Sequence, residues 1–544
     1  MNNIQQIFPE IKLNEKDSFI KQNLQIQTYG RRIKKDQTVP EYLLEFLLMF
    51  IGEQNGESGF DKFDYDDNKF LGYKVNPHIG LKRFIFFENS KLDNRFDVDK
   101  DAYEKLRSEL KKSIKTKNYH QDDILDIIQE LFYGFSAVTK NRGWFAQSMM
   151  PICKETIFPE AMGKKSQREN LNFTQSEEEN KNKFSLKVDR GIDSGFEFKE
   201  HNFMARGGEV YYLHLMQGLK DNEKLKNNIQ NNINRLINSY PQMSVISSWI
   251  NSKWYDTLKS HIDSNKDIEL ELQEEIDSKW ITKRYERRSR YTVEELNNLL
   301  ISETSEFEKI DLLNTAIVVQ VLRMMVESSK CIVDEVEECN PMWLIHVPST
   351  SATDNKIKKL AVEEYKNIED CMELSISKVL LKNKEVGNVD IGMGRDKKQK
   401  SDLSKLKKAN EDSFKLLRKI GKDTGLVIPL RGENMRFAMN DSIIRFLVLS
   451  LVEPETKITL KRFLKKLYEH FGIVIGAEEY YQYINDNNLS NVKDVSFLNY
   501  NLIEFQNLLR KNGFLRELSD AMSIVENPYK KVEELVDAVV CSSN

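Results

Sequence analysis

Glu197-Phe198-Lys199 places a carboxylate and an ammonium two positions apart on a segment expected to be a strand. With Asp189, or alternatively Asp193, ahead of them, Glu197 and Lys199 supply the parts of a metal-assisted hydrolase. Two carboxylates would hold Mg²⁺ and the lysine would orient the attacking water. Two basic groups point to different chemistry. Arg284, Arg287 and Arg288 stand among Trp280, Lys283, Tyr285, Arg290 and Tyr291, a mixture in which cations can hold phosphates and rings can stack on bases. Such a run is equally the solvated face of a helix. Lys461, Arg462, Lys465 and Lys466 cluster near the C-terminus, with Arg510 and Lys511 further on.

Other chemistries find little support. Gly163-Lys164-Lys165-Ser166 has the end of a phosphate-cradling loop, but Phe158 stands where the first glycine is required. Asp61, Asp64, Asp66 and Asp67 fail the spacing of a calcium loop, which needs glycine at Asp66 and a carboxylate at Gly72. Arg206-Gly207-Gly208-Glu209 precedes a helix whose free amides could meet an anion. His201 and His214 lack a third ligand and read as structural histidines. No GxSxG or HExxH motif occurs. The five cysteines, Cys153, Cys331, Cys339, Cys371 and Cys541, include no CxxC pair, which points away from a disulfide framework or zinc ribbon and toward a reducing cytoplasm. No metal and no cofactor is expected.

The elements that must position these residues read as mainly α with minor β, in several units. Residues 1–162 form a mixed unit. In it Pro40 and Gly52 bracket a buried helix over Leu43–Ile51, and Leu71–Val75 and Leu81–Phe87 are predicted strands. Ile124, Ile127, Ile128, Leu131, Phe132 and Phe135 mark one face of an amphipathic helix. A polar linker or loop occupies 163–183. The mostly helical middle domain, 184–390, starts with Phe184–Val188 and Phe196–Lys199 as paired strands. It continues through helices opened by Gly207-Gly208 and marked by Ile229, Ile233 and Leu236. Thr292-Val293-Glu294-Glu295 reads as a capping box. Leu312–Val326, apolar on most sides, belongs at the centre of a core, and Trp343–Val347 reads as a buried strand. Residues 395–422, with eleven basic and four acidic side chains, make the region 391–425 a basic connector or solvated helix.

The region 426–530 is the most informative. A hairpin over Leu426–Leu430 and Met435–Met439 precedes a helix capped by Asp441. A second helix runs from Thr459 to Gly472, a third carries Leu502, Phe505, Leu508 and Leu509, and a strand–turn–strand follows from Phe514 to Val525. Three helices and a hairpin in this order resemble the winged helix-turn-helix family. That resemblance implies a third helix in the major groove, with Asn499, Asn501, Gln506, Arg510 and Lys511 as its polar candidates, and a wing on phosphate. From 442 to 530 basic and acidic residues balance at eleven each. Residues 531–544 are a tail. The Asp189, Glu197 and Lys199 pattern in turn resembles the PD-(D/E)xK nucleases, with Val188 where that family has proline. Asn141–Gln147, Ala205–Val210 and Gly513–Asp520 together resemble uncharacterised accessory proteins of bacterial antiphage-defence gene clusters. That resemblance implies work in complexes with other proteins.

Across 544 residues the formal charge is −4, so nucleic-acid binding would have to come from local patches. No stretch approaches the roughly 20 apolar residues that span a bilayer, and Met1–Gln5 does not open a signal peptide. The expectation is a cytoplasmic, non-enzymatic subunit of a bacterial multi-protein system, with DNA and other protein subunits as partners and no membrane. The alternatives are a Mg²⁺-dependent nuclease and a protein-binding scaffold.

Overall fold

The computed structural model describes residues 24–29, 38–63, 70–75, 78–86, 97–132, 152–158, 162–163, 196–197, 207–260, 274–279, 286–350, 353–385, 395–487, 489, 494–519 and 522–532. These are mainly helical with a few short strands.

Helix α1 (Leu24–Tyr29) precedes α2 (Val39–Ile51). Pro40 lies in the first turn of α2, where a helix needs no N–H, and the Thr38 amide donates to the Glu41 carboxylate at 2.5 Å. Tyr42 through Phe50 are all buried, as a helix apolar on every side requires. Lys62 closes its far end: Nζ donates to the carbonyls of Met49, Phe50 (3.3 Å) and Gly52 (3.0 Å), a buried ammonium at the negative pole of a helix.

Strand β1 (Phe70–Val75) is followed by α3 (Ile79–Phe86), where the sequence predicted a second strand. Leu81, Phe84 and Ile85 recur at helical spacing and are buried, and Asn251 Oδ1 accepts the Leu81 amide at 3.0 Å in the opening turn. A short apolar run fits both periods, and packing decided. Helices α4 (Asp97–Ser113) and α5 (Gln121–Leu131) follow. The predicted inner stripe of α5 is displaced. Leu125, Gln129 and Phe132 are buried, whereas Ile127 is 60% and Leu131 46% exposed. Gln129 takes an inner position because its Nε2 donates to the Phe84 carbonyl at 2.8 Å. Phe135 lies outside the described residues.

Strands β2 (Met162–Gly163) and β3 (Phe196–Glu197) pair antiparallel. The expected partner of β3, Phe184–Val188, lies outside the described residues. Helices α6 (Gly207–Leu219), α7 (Glu223–Ile237) and α8 (Pro241–Ser260) lead to β4 (Glu274–Lys279), which pairs antiparallel with β1. Helix α6 crosses α2 closely: a Cβ on Gly208 would sit 2.0 Å from the Tyr42 carbonyl oxygen. Helix α9 (Glu286–Ile301) begins well before the predicted capping box. Thr292 is inside it and donates to the Arg288 carbonyl at 3.1 Å, so the start signal was misread. Helix α10 (Glu306–Asp334), with Leu312–Val326 buried throughout, is the centre of the core.

Strand β5 (Trp343–Leu344) is buried, and α11 (Asp354–Glu385) packs on α12 (Arg395–Thr424). The basic stretch is therefore a helix, anchored by buried Leu416, Leu417 and Ile420. The short strands β6 (Val427–Ile428) and β7 (Arg436–Phe437) make the expected hairpin. Helix α13 (Asp441–Leu451) is capped by Asn440, one residue before the predicted Asp441: Asn440 Oδ1 accepts the Ile443 amide at 2.8 Å. Then come β8 (Lys457–Thr459), α14 (Leu460–Phe471), β9 (Ile473–Val474), α15 (Ala477–Asp486), α16 (Leu498–Lys511), β10 (Leu515–Ser519) and β11 (Met522–Glu526). Strands β10, β11 and β8 form an antiparallel sheet in that order. Strand β9 instead pairs parallel with β5, which stitches this C-terminal unit to the middle of the chain. One buried apolar cluster runs from Tyr29 to Val525.

Candidate nucleic-acid interface

The basic residues near the C-terminus are carried by α14. Thr459 Oγ1 accepts the Arg462 amide at 3.2 Å, and Gly472, at φ 68°, ends the helix in the left-handed conformation. Leu460, Phe463, Leu464, Leu467 and Phe471 face the core, with Phe463 stacked on Phe505 of α16. That leaves Lys461, Arg462 and Lys465 exposed on the opposite face. Lys461 lies 3.2 Å from Glu478 and Lys465 3.7 Å from Glu469, both solvent-facing pairs that water screens. Among the described residues Arg462 has no ion-pair partner. Lys466 is turned inward and donates to the Leu451 carbonyl at 2.9 Å, closing the end of α13 rather than facing solvent.

Helix α16 offers less charge than its sequence promised. Arg510 is held by Glu517 and by Asn507 Oδ1 at 2.7 Å, and Lys511 lies 3.6 Å from Asp441. Asn501, expected among the groove-reading side chains, is fully buried. Its Nδ2 donates to the carbonyls of Ile345 and Ile475, both at 2.8 Å, and its Oδ1 accepts the Val347 amide at 2.9 Å. Tyr500 and Ile503 are each 51% exposed on the outer face of α16, beside exposed Asn499.

The second basic group does not face solvent as a unit. Arg284 lies outside the described residues, and Arg287 occupies the first turn of α9. Arg288 is buried: Nε lies 3.3 Å from Glu327, Nη1 donates to the His470 carbonyl at 2.7 Å, and Nη2 donates to Asn340 Oδ1 at 3.2 Å. It is a structural ion pair joining α9, α10 and the end of α14, which overturns its expected contact with phosphate. Tyr291 stacks on His470 at 4.2 Å rather than offering its ring to a base. His470 Nδ1 is 2.7 Å from the Glu295 carboxylate, and Arg323 lies over the Phe471 ring at 5.5 Å. His214 Nε2 lies 3.0 Å from both Thr292 Oγ1 and Gln320 Nε2. Burial pushes His214 and His470 down to about 3, so both imidazoles are neutral, and burial raises Glu295.

Of the hydrolase pattern, Glu197 is on β3, facing Met162 in the register, while Asp189, Asp193 and Lys199 lie outside the described residues. The anion expected at the start of α6 is supplied by the chain itself: the Gly208 amide donates to Glu45 at 2.9 Å. A cavity of about 200 Å³ is lined by Ile51, Glu53, Lys74, Val75, His78, Lys154 and Glu155. Asn251 Oδ1 is engaged by Leu81, so Asn251 Nδ2 donates to His78 Nδ1 at 2.9 Å, which places the imidazole proton on Nε2. Burial pushes His78 down to about 4. His78 and Asn251 are 173 positions apart, and no local signal links them.

No family model, no curated protein and no solved structure matches this chain.

Proposed function

We propose that this chain is a non-enzymatic, DNA-associated subunit of a bacterial multi-protein system of the antiphage-defence kind, with its C-terminal unit working as a winged helix. The observation that carries the reading is the exposed face of α14, where Lys461, Arg462 and Lys465 stand clear of the core on a rigid, doubly capped helix. It is supported by the order α13, β8, α14, α16, β10, β11, with β9 and α15 inserted between α14 and α16, and by the three-stranded sheet that closes the unit. In this reading α14 holds phosphates, and the outer face of α16 meets the groove through Asn499, Tyr500 and Ile503. Binding of duplex and single-stranded DNA across a salt series tests it. Affinity that falls steeply with salt supports phosphate contact, and no binding at low salt refutes it for this chain.

One observation favours a second reading, a protein-binding adaptor. Tyr500 and Ile503 expose apolar surface on α16, and further along the same helix Arg510 is engaged by Glu517 and Asn507. An interface built on that face would be lost in Tyr500→Ala/Ile503→Ala without any change in salt dependence.

A further inference from the structure

We propose that Cys331 and Cys339 form a site of oxidative modification, closing to an intramolecular disulfide when a peroxide reaches them. Their sulfurs lie 3.0 Å apart. A disulfide bond is about 2.0 Å long, so the sulfurs need approach by only about 1 Å. The backbone brings them together. Cys331 sits in the last turns of α10, and Glu335, at φ 57°, ends that helix in the left-handed conformation. The Val336 amide donates to the Cys331 carbonyl at 3.1 Å, which turns the chain back along the helix. Cys339 thereby returns to the side of α10, where its thiol lies 3.4 Å from the Glu327 carbonyl. Cys331 is buried and Cys339 is partly exposed, so an oxidant meets Cys339 first. Cys153, by contrast, lies against Ser247.

The chemistry balances with hydrogen peroxide as the oxidant. The Cys339 thiolate attacks one peroxide oxygen, the O–O bond breaks, and the departing oxygen leaves as water after taking up a proton. The Cys331 sulfur then attacks the sulfenic sulfur. The S–S bond forms, the S–O bond breaks, and a second water leaves with the Cys331 proton. Two thiols and one peroxide become one disulfide and two waters, and the two electrons lost by sulfur go to the peroxide. Contact with Cys331, followed by burial, holds the Cys339 thiol well above its ordinary range, so little thiolate forms at neutral pH and the oxidation, run at alkaline pH, speeds up as pH rises.

The bond would fix a segment that already joins the core to the C-terminal unit. Asn340, next to Cys339, accepts from Arg288 and donates to the Tyr468 carbonyl at 3.2 Å, and the Trp343 amide donates to the Gly472 carbonyl at 2.8 Å. Oxidation should therefore slow amide exchange across 336–343.

The test treats the full-length protein with hydrogen peroxide, alkylates remaining thiols in denaturant, and maps tryptic peptides by mass spectrometry. Both cysteines fall on the peptide Cys331–Lys356. The expected result is that this peptide loses two hydrogens and escapes alkylation, and that reductant reverses both changes. In Cys339→Ser, Cys331 should stay alkylatable. Should that variant fail to fold, the wild-type map alone still decides. Alkylation of both residues after oxidation, sulfinic acid at Cys339 with Cys331 free, or links between chains would each overturn the assignment.

Discussion

Replacing Asn501 by alanine removes one side chain and strands three backbone groups. The Val347 amide loses its acceptor, and the carbonyls of Ile345 and Ile475 each lose a donor, all inside a fully buried site. An orphaned buried polar group costs about 1–3 kcal/mol. With partial relaxation the three together should destabilise the junction of β5, β9 and α16 by about 3–5 kcal/mol, roughly a hundred- to several-thousand-fold in the opening equilibrium. Asn501→Asp is the sharper control. It keeps the acceptor for Val347 but sets a carboxylate against two carbonyl oxygens, so it should be at least as damaging. The assay is hydrogen–deuterium exchange of the Val347 and 473–475 amides, with the urea midpoint measured alongside. A change below about 1 kcal/mol, accompanied by weaker DNA binding, would instead place Asn501 at the surface in a groove-reading role.

Arg288→Met should leave Glu327 buried without its cation and lower stability by about 3–5 kcal/mol, read from the urea midpoint. DNA affinity of the folded fraction should be unchanged, because Arg288 does not face solvent. The pH dependence follows from His214, held neutral in the fold at about 3 against 6.5 unfolded. The unfolded chain takes up the proton first, so the stabilisation is complete above about pH 6.5 and is lost as pH falls toward the folded value. At about pH 5 the loss is about 2 kcal/mol. His214→Gln, which does not titrate, should flatten the wild-type decline by that amount in unfolding midpoints measured across pH, and equal slopes in the two proteins would contradict it.

Helices with clean periodicity and marked ends were legible. Helix α2 has its proline and glycine, α10 is apolar on most sides over Leu312–Val326, and α14 has the Thr459 cap and Gly472 stop. What failed did so where long-range partners outweigh local pattern. Helix α3 was misread because the aromatic and branched run Phe84–Phe87 masked the helical spacing of Leu81, Phe84 and Ile85, and the deciding cap, Asn251, is 170 residues away. The face of α5 was misjudged because a buried glutamine answers a carbonyl on another helix. Thr292 and Glu295 have the spacing of a helix start, but they belong to a polar cluster built with His214 and His470. The same cluster explains Arg288: charge density is visible in sequence, but an inward turn toward Glu327 is not. On α14 the apolar stripe was clear enough to place Lys461, Arg462 and Lys465 outside, and only Lys466, which reaches the end of α13, escaped that rule.

Comparing the wild type with Lys461→Glu/Arg462→Glu/Lys465→Glu on one duplex across a salt series tests whether α14 holds phosphate. Each lost phosphate contact lowers the magnitude of the salt slope by about 0.9. Wild-type affinity should weaken steeply with salt, and the variant should fold normally but bind far more weakly, with the slope reduced by about two to three. Absence of wild-type binding at low salt, or an unchanged slope in the variant, would contradict phosphate contact by α14.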